Sequence, residues 1–150
     1  MFTQIDTHKH LFMQDMQVQG ISGLRIVIAA GDVAEGAQEP TFDEISSVDL
    51  RKTLRGSKPI TVTSDSVRYE IKFVDFISYS VTFPGYTVKD DGKFDGVNAG
   101  TYTDSAFLRY VKEATYADEV YREPLIHYCI WCFNQKIDVV SSKPPVVIDV

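Results

Sequence analysis

Cys129 and Cys132 stand as C-x-x-C in the run CIWC, a spacing used by redox dithiols and by one half of a zinc site. The redox use needs a helix N-terminus, whose dipole lowers a thiol pKa, whereas this pair lies in a run of β-branched and aromatic residues. Along a regular strand, residues an odd number apart point to opposite faces. Cys129 then shares a face with His127 and Trp131, while Cys132 turns the other way with Tyr128 and Ile130. So placed, the two sulfurs neither bridge nor share a metal, and both read as core thiols behaving as small hydrophobes. His127 and Cys129 are the pair around which a metal site would be built. His8 and His10, spaced H-x-H, put both rings on one face of a strand and would complete a tetrahedral set if the two ends of the chain met. Their plainer reading is as surface or partly packed histidines.

Asp75 is the lone carboxylate on an otherwise apolar strand face. An unpaired buried charge is costly, so either a bend turns Asp75 to solvent or a partner (Arg109, Arg68 or His127) satisfies it. A functional reading makes Asp75 and His127 the acid and base of a small site at the bend. Several familiar chemistries fail on their own spacing. Gly31 and Gly36 follow an apolar run at phosphate-loop spacing, but Ala37 and Gln38 stand where Lys and Ser or Thr are required. Asp91-Gly92 and Asp95-Gly96 have the look of a calcium loop, yet Lys93 occupies a ligand position and the closing Glu is missing. The G-x-S-x-G, H-E-x-x-H and G-x-G-x-x-G patterns are absent. No cofactor is implied.

The elements that must position these residues are mostly strands. Leu24 to Ala30 (LRIVIAA), short and bounded by glycines, reads as a buried strand. From Val67 to Phe83 the odd positions are apolar, Asp75 excepted, and most even ones polar, which is period two. Seventeen residues are far more than a usual strand of about five or six, so the pattern predicts one long strand, bent where it falters at Val74-Asp75-Phe76. Thr87 to Thr101, dense in Asp, Gly and Asn, reads as a surface loop or hairpin end. Thr103 or Asp104 then caps a helix that buries Phe107, Tyr110, Val111 and Ala114. Leu125 to Ser141 reads as strand with a turn at Asn134-Gln135-Lys136, and Val146 to Val150 as a short last strand after Pro144 and Pro145. Ser46 to Arg55 is a candidate short helix ended by Gly56, and the stretch from Gly31 through Pro40 a connection.

The chain has 150 residues, 44% hydrophobic and 24% charged, the composition of one folded domain with its own core. The expected fold class is α+β and β-rich: a mostly antiparallel sheet, as a sandwich or half-barrel, with one main helix packed against it. A net charge of −6 argues against gripping phosphate backbones, so no nucleic-acid partner is expected. The short basic run Arg51, Lys52, Arg55 and Lys58 reads as a solvated face. No apolar run reaches the ~20 residues that span a bilayer, and Met1 to Met16 lacks the apolar stretch of a signal peptide. Two cysteines without an export signal point to a reduced, cytoplasmic protein.

The segments YEIKFVDFISYSVTF, SAFLRYVKEAT and HYCIWCFNQKIDVVSSKPP together resemble an uncharacterised group of small bacterial proteins that share this progression. The likeness covers roughly the C-terminal half and departs at Phe83-Pro84-Gly85, where a polar segment is usual. It implies a bacterial origin and a self-contained domain, and it assigns no catalytic residue. Eight tyrosines and an acidic surface suit a protein partner, and oligomerisation is left open. The expected function is therefore non-catalytic binding of another protein, of the kind that neutralises a partner by covering it. The alternative is a small enzyme or ligand-binding protein with a pocket at the Asp75 bend.

Overall fold

In a computed structural model of the chain, which describes residues 1–34 and 57–150, two antiparallel sheets face each other as a sandwich. The readings placed on Gly36 to Gly56 (the loop around Pro40, the Ser46 to Arg55 helix and Arg51, Lys52 and Arg55 of the basic run) lie outside the described residues. The first sheet runs in the order β1 (Leu11–Gln19), β2 (Gly23–Ala30), β5 (Arg68–Phe73), β11 (Val146–Asp149). The second runs β6 (Phe76–Thr82), β10 (Lys136–Ser141), β9 (Ile126–Trp131), β8 (Ala99–Tyr102), β7 (Phe94–Gly96). A small ribbon pairs β3 (Asp32–Val33) with β4 (Ile60–Thr61). This is the expected β-rich α+β class, in its sandwich form.

Alternation builds the core. Leu24, Ile26 and Ile28 of β2 meet Phe73, Ile71 and Tyr69 of β5 on one side. Tyr128 and Ile130 of β9 and Ile137 and Val139 of β10 answer from the other sheet, and every one of these side chains is buried. Cys132, just past the end of β9, joins this inter-sheet layer as expected. β1 is a strand that the sequence pattern did not announce. Its pairing to β2 slips between Met13 and Asp15, so the extra residue Gln14 breaks the period of two by which a strand is recognised. Gly20, at φ +64°, supplies the left-handed residue in the turn from β1 to β2.

The long strand expected from Val67 to Phe83 is instead two strands in different sheets. β5 ends at Phe73, the chain crosses the sandwich at Val74-Asp75, and β6 starts at Phe76. Crossing between sheets needs a corner, and the faltering residues make it. The Phe76 amide donates to the Ser22 carbonyl (2.8 Å), while Ser141 Oγ donates to the Asp75 carbonyl (2.8 Å). A register slip opposite Ser141 then sends Phe76 into the inter-sheet core and Ile77 to the opposite face. Beyond the slip, Tyr79 and Val81 again share the inner face of their partners Val139 and Ile137.

The Thr87 to Thr101 segment holds the short β7–β8 hairpin. Gly96 and Gly100 pair directly there, and a Cβ on either would run into hairpin backbone. The helices α1 (Ala106–Ala114) and α2 (Ala117–Val120) cover the outer face of the second sheet. The cap of α1 is Ser105, not the expected Thr103 or Asp104, and its Oγ accepts from the Leu108 amide at 3.0 Å. That cap sets the helix phase. Leu108 and Val111 are buried, Phe107 is half-buried, and Tyr110 and Ala114 are exposed, correcting the expected face.

Candidate functional site

The outer face of the second sheet, beneath α1, gathers the residues that could do chemistry. Alternation along β9 points His127, Cys129 and Trp131 to this face. The β9–β10 register sets Asp138 opposite Cys129 and Lys136 opposite Trp131, and the β8–β9 register sets Tyr102 opposite His127. His127 is fully buried. Its Nε2 lies 2.8 Å from Asp138 Oδ1, and its Nδ1 lies 2.7 Å from Ser105 Oγ, the same oxygen that caps α1. Tyr102 stacks on the imidazole at 4.9 Å between centroids, and Phe107 meets it edge-on at 5.4 Å.

One proton arrangement satisfies every group in this chain of bonds. With Asp138 ionised, Nε2–H donates to it, Nδ1 accepts from the Ser105 hydroxyl, and Ser105 Oγ accepts from the Leu108 amide. Lys136 completes the set: its ammonium lies 2.7 and 2.8 Å from the two oxygens of Asp138 and 5.1 Å from the centre of the Trp131 ring. Burial alone would raise the Asp138 pKa. The bonds from His127 and Lys136 outweigh it and hold the carboxyl below its usual range.

His127, Cys129 and Asp138 offer ligand atoms within 4.8 Å of one another, all buried. The protein has already filled this donor set. Both imidazole nitrogens and both carboxylate oxygens are engaged, and the Lys136 ammonium sits where a cation would. Burial and then the Asp138 charge push the Cys129 thiol up, away from the thiolate that a metal needs. Burial pushes the Cys132 thiol up to about 12, and both cysteines are free. As the strand argument expected, the two sulfurs occupy different layers. His8 and His10 lie elsewhere: His8 Nε2 is 2.7 Å from the Tyr69 hydroxyl, and His10 packs edge-on against Phe133.

The structure does not join Asp75 to His127 by a hydrogen bond. The Asp75 carboxylate, half-buried at the corner, accepts from the Tyr121 hydroxyl at 2.9 Å. The other expected partners are engaged elsewhere. Arg68 donates to the carbonyls of Thr63, Ser64 and Ser66, and Arg109 bridges Asp91 and Asp104. A cleft lies beside the buried chain, and no residue of the bend lines it. It holds about 470 Å³ above Tyr102, between Trp131, Phe94 and the loop from Thr87 to Gly92.

Sequence reasoning missed Ser105, Lys136 and Asp138. A signal was present, because Asp138 interrupts the apolar run of β10 as Asp75 interrupts its own, and a hairpin turning at 132–135 places Asp138 beside Cys129.

On the exposed side of the molecule, apolar side chains collect along β6 and the residues after it. Tyr79 and Val81 are about 40% exposed although they face inward, because β6 is the outermost strand of its sheet. Phe83 and Tyr86, 59% and 84% exposed, continue the strip with their rings 5.7 Å apart. Of the eight tyrosines, Tyr79, Tyr86, Tyr110 and Tyr116 are exposed, whereas Tyr69, Tyr102 and Tyr128 are buried.

No family model, no curated protein and no solved structure matches this chain.

Proposed function

We propose that the protein is a non-catalytic bacterial interaction protein of the partner-covering kind, and that it receives an extended segment of another polypeptide along β6. The observation that carries this reading is the chemistry of the strand edges. Exposed edges are normally blunted by charges, prolines, bulges or covering segments, because their free N–H and C=O groups invite another strand. β1 is bulged, and the 132–135 turn covers its first residues: the Phe133 amide donates to the Leu11 carbonyl, and the Asn134 side-chain amide bonds both backbone groups of Met13. β7 is three residues long and carries Asp95; β11 has four residues, follows two prolines and carries Asp149.

β6 reads FISYSVT, with no charge, no proline and no glycine. Among the described residues it pairs with β10 alone. Main-chain bonds to such an edge supply affinity, and alternate side chains supply selectivity. Tyr79, Val81, Phe83 and Tyr86 are the apolar anchors, and the three aromatic ones are of the residue types enriched at binding surfaces. The candidate catalytic groups support the same reading: Ser105 and His127 are fully buried, and Ser105 Oγ is committed to the helix cap.

The test is selection from a displayed library of eight-residue extended peptides against the intact protein. Enriched peptides should alternate apolar and hydroxyl residues, and a Phe83→Ser, Tyr86→Ser double variant should bind them at least tenfold more weakly, about 1.4 kcal/mol. If no peptide is enriched, or if the double variant binds as well as the parent, the reading is wrong.

A further inference from the structure

We infer that two copies of this chain pair β6 to β6, antiparallel about a two-fold axis at Ser80, covering the edge between encounters with a partner. The inference rests on the reading of β6 as a strand-accepting edge and names the occupant of that edge in the free protein. An isologous contact requires a surface that is its own complement. With Ser80 on the axis, Tyr79 lies opposite Val81 of the second copy and Val81 opposite its Tyr79, two aromatic–β-branched pairs of the kind that stabilise sheets. On the other face Ser78 meets Thr82, Thr82 meets Ser78, and Ser80 meets Ser80, so hydroxyl faces hydroxyl throughout. Because directly opposed residues share a face, this register keeps Tyr79 and Val81 of both copies on the inner side.

Charge selects the place. Two chains of net charge −6 repel each other over most approaches, and like charges directly opposed across strands are destabilising. β6 apposes to itself without bringing one carboxylate against another, which the other outer strands of the two large sheets do not offer: β1 carries Asp15, β7 Asp95 and β11 Asp149. The product is a two-fold assembly whose second sheets run on as one ten-stranded sheet, in which a partner strand must displace a copy of β6.

Sedimentation of the full chain tests this. One chain has a mass of 16.9 kDa, and the parent should sediment at twice that at micromolar concentration. Tyr79→Lys and Val81→Glu each place a charge against an apolar residue of the second copy, so each variant alone should be monomeric. Mixed one to one, they set the introduced ammonium of one copy against the introduced carboxylate of the other at one pair, and restore Tyr79 against Val81 at the second pair, so the dimer should return. Both positions lie at the solvent rim, and unchanged circular dichroism of the two variants shows that the fold is intact.

A monomeric parent overturns the inference, as does a dimer that survives in either variant or a mixture that stays monomeric. A monomeric parent that still selects strand peptides removes only the self-pairing and leaves the proposed function standing; with no peptides selected either, both fall. Where both hold, a selected peptide should convert the dimer to a monomer–peptide complex.

Discussion

Asp138 is the residue on which the buried chain of bonds turns, since it accepts from His127 and Lys136 together. Its folded pKa lies below its ordinary value. The stability it contributes is therefore present above the unfolded pKa of about 3.9 and is lost as pH falls through the lower, folded value. Asp138→Asn leaves the part-buried Lys136 ammonium without its counter-charge and should cost about 3 kcal/mol at pH 7. The gap between parent and variant should narrow below about pH 4, because acid removes from the parent the ion pair that the variant already lacks. Denaturant titrations at pH 7 and pH 3 measure both terms. A gap that does not depend on pH would mean that packing, and not the carboxylate charge, carries the effect.

At the scale of the element, the phase of α1 follows from its cap. Ser105 binds the Leu108 amide from one side and His127 from the other, so the helix starts where the β9 histidine holds its first turn. Leu108 and Val111 consequently face the sheet, packed with Leu125 and Val140. Leu108→Ala should cost about 3 kcal/mol, as for a buried leucine, while Tyr110→Ala should stay within about 0.5 kcal/mol. Thermal or denaturant midpoints of the two variants decide it, and the reverse order would show that the helix is rotated. From the sequence, Phe107, Tyr110, Val111 and Ala114 made an equally good stripe, because spacing defines a face but not which side meets the sheet. The capping hydroxyl decided that, and its partner is remote in sequence.

At the scale of the molecule, the two sheets are joined by the corner at Val74-Asp75 and by the 132–135 turn, which reaches across from the second sheet to β1. The Asn134 side chain donates to the Met13 carbonyl and accepts from the Met13 amide, both at 2.9 Å, standing in for a residue of a neighbouring strand. Asn134→Ala removes both bonds and should cost about 2 kcal/mol. It should also speed amide exchange along β1 ahead of the rest of the first sheet, since that edge would then be open. Hydrogen exchange with mass detection locates the change. Uniform exchange across both sheets would mean that Asn134 serves global stability and not this edge.

Much of the molecule follows from local sequence alone. The strand at Leu24 to Ala30, the β9–β10 hairpin and the last strand needed only apolar, β-branched or aromatic runs bounded by glycines, prolines or a turn, and the opposed faces of Cys129 and Cys132 only that strand side chains alternate, all properties of the local chain. What alternation could not reveal was which sheet each strand enters. The residues from Val67 to Phe83 read as one strand because crossing a sandwich corner preserves inward-facing apolar residues on both sides of it, and the slip at Phe76 and Ile77 is visible only once β10 is the partner. Likewise, His127 was evident as a residue that could do chemistry. Its binding to Ser105 and Asp138 rather than to Asp75 depends on register between strands and on where a helix begins, and long-range pairing decides both. Asp75 itself was legible as an anomaly from its sequence neighbours, but the Tyr121 hydroxyl that satisfies it lies 46 residues away and could be supplied only by the packing of the helices against the sheet.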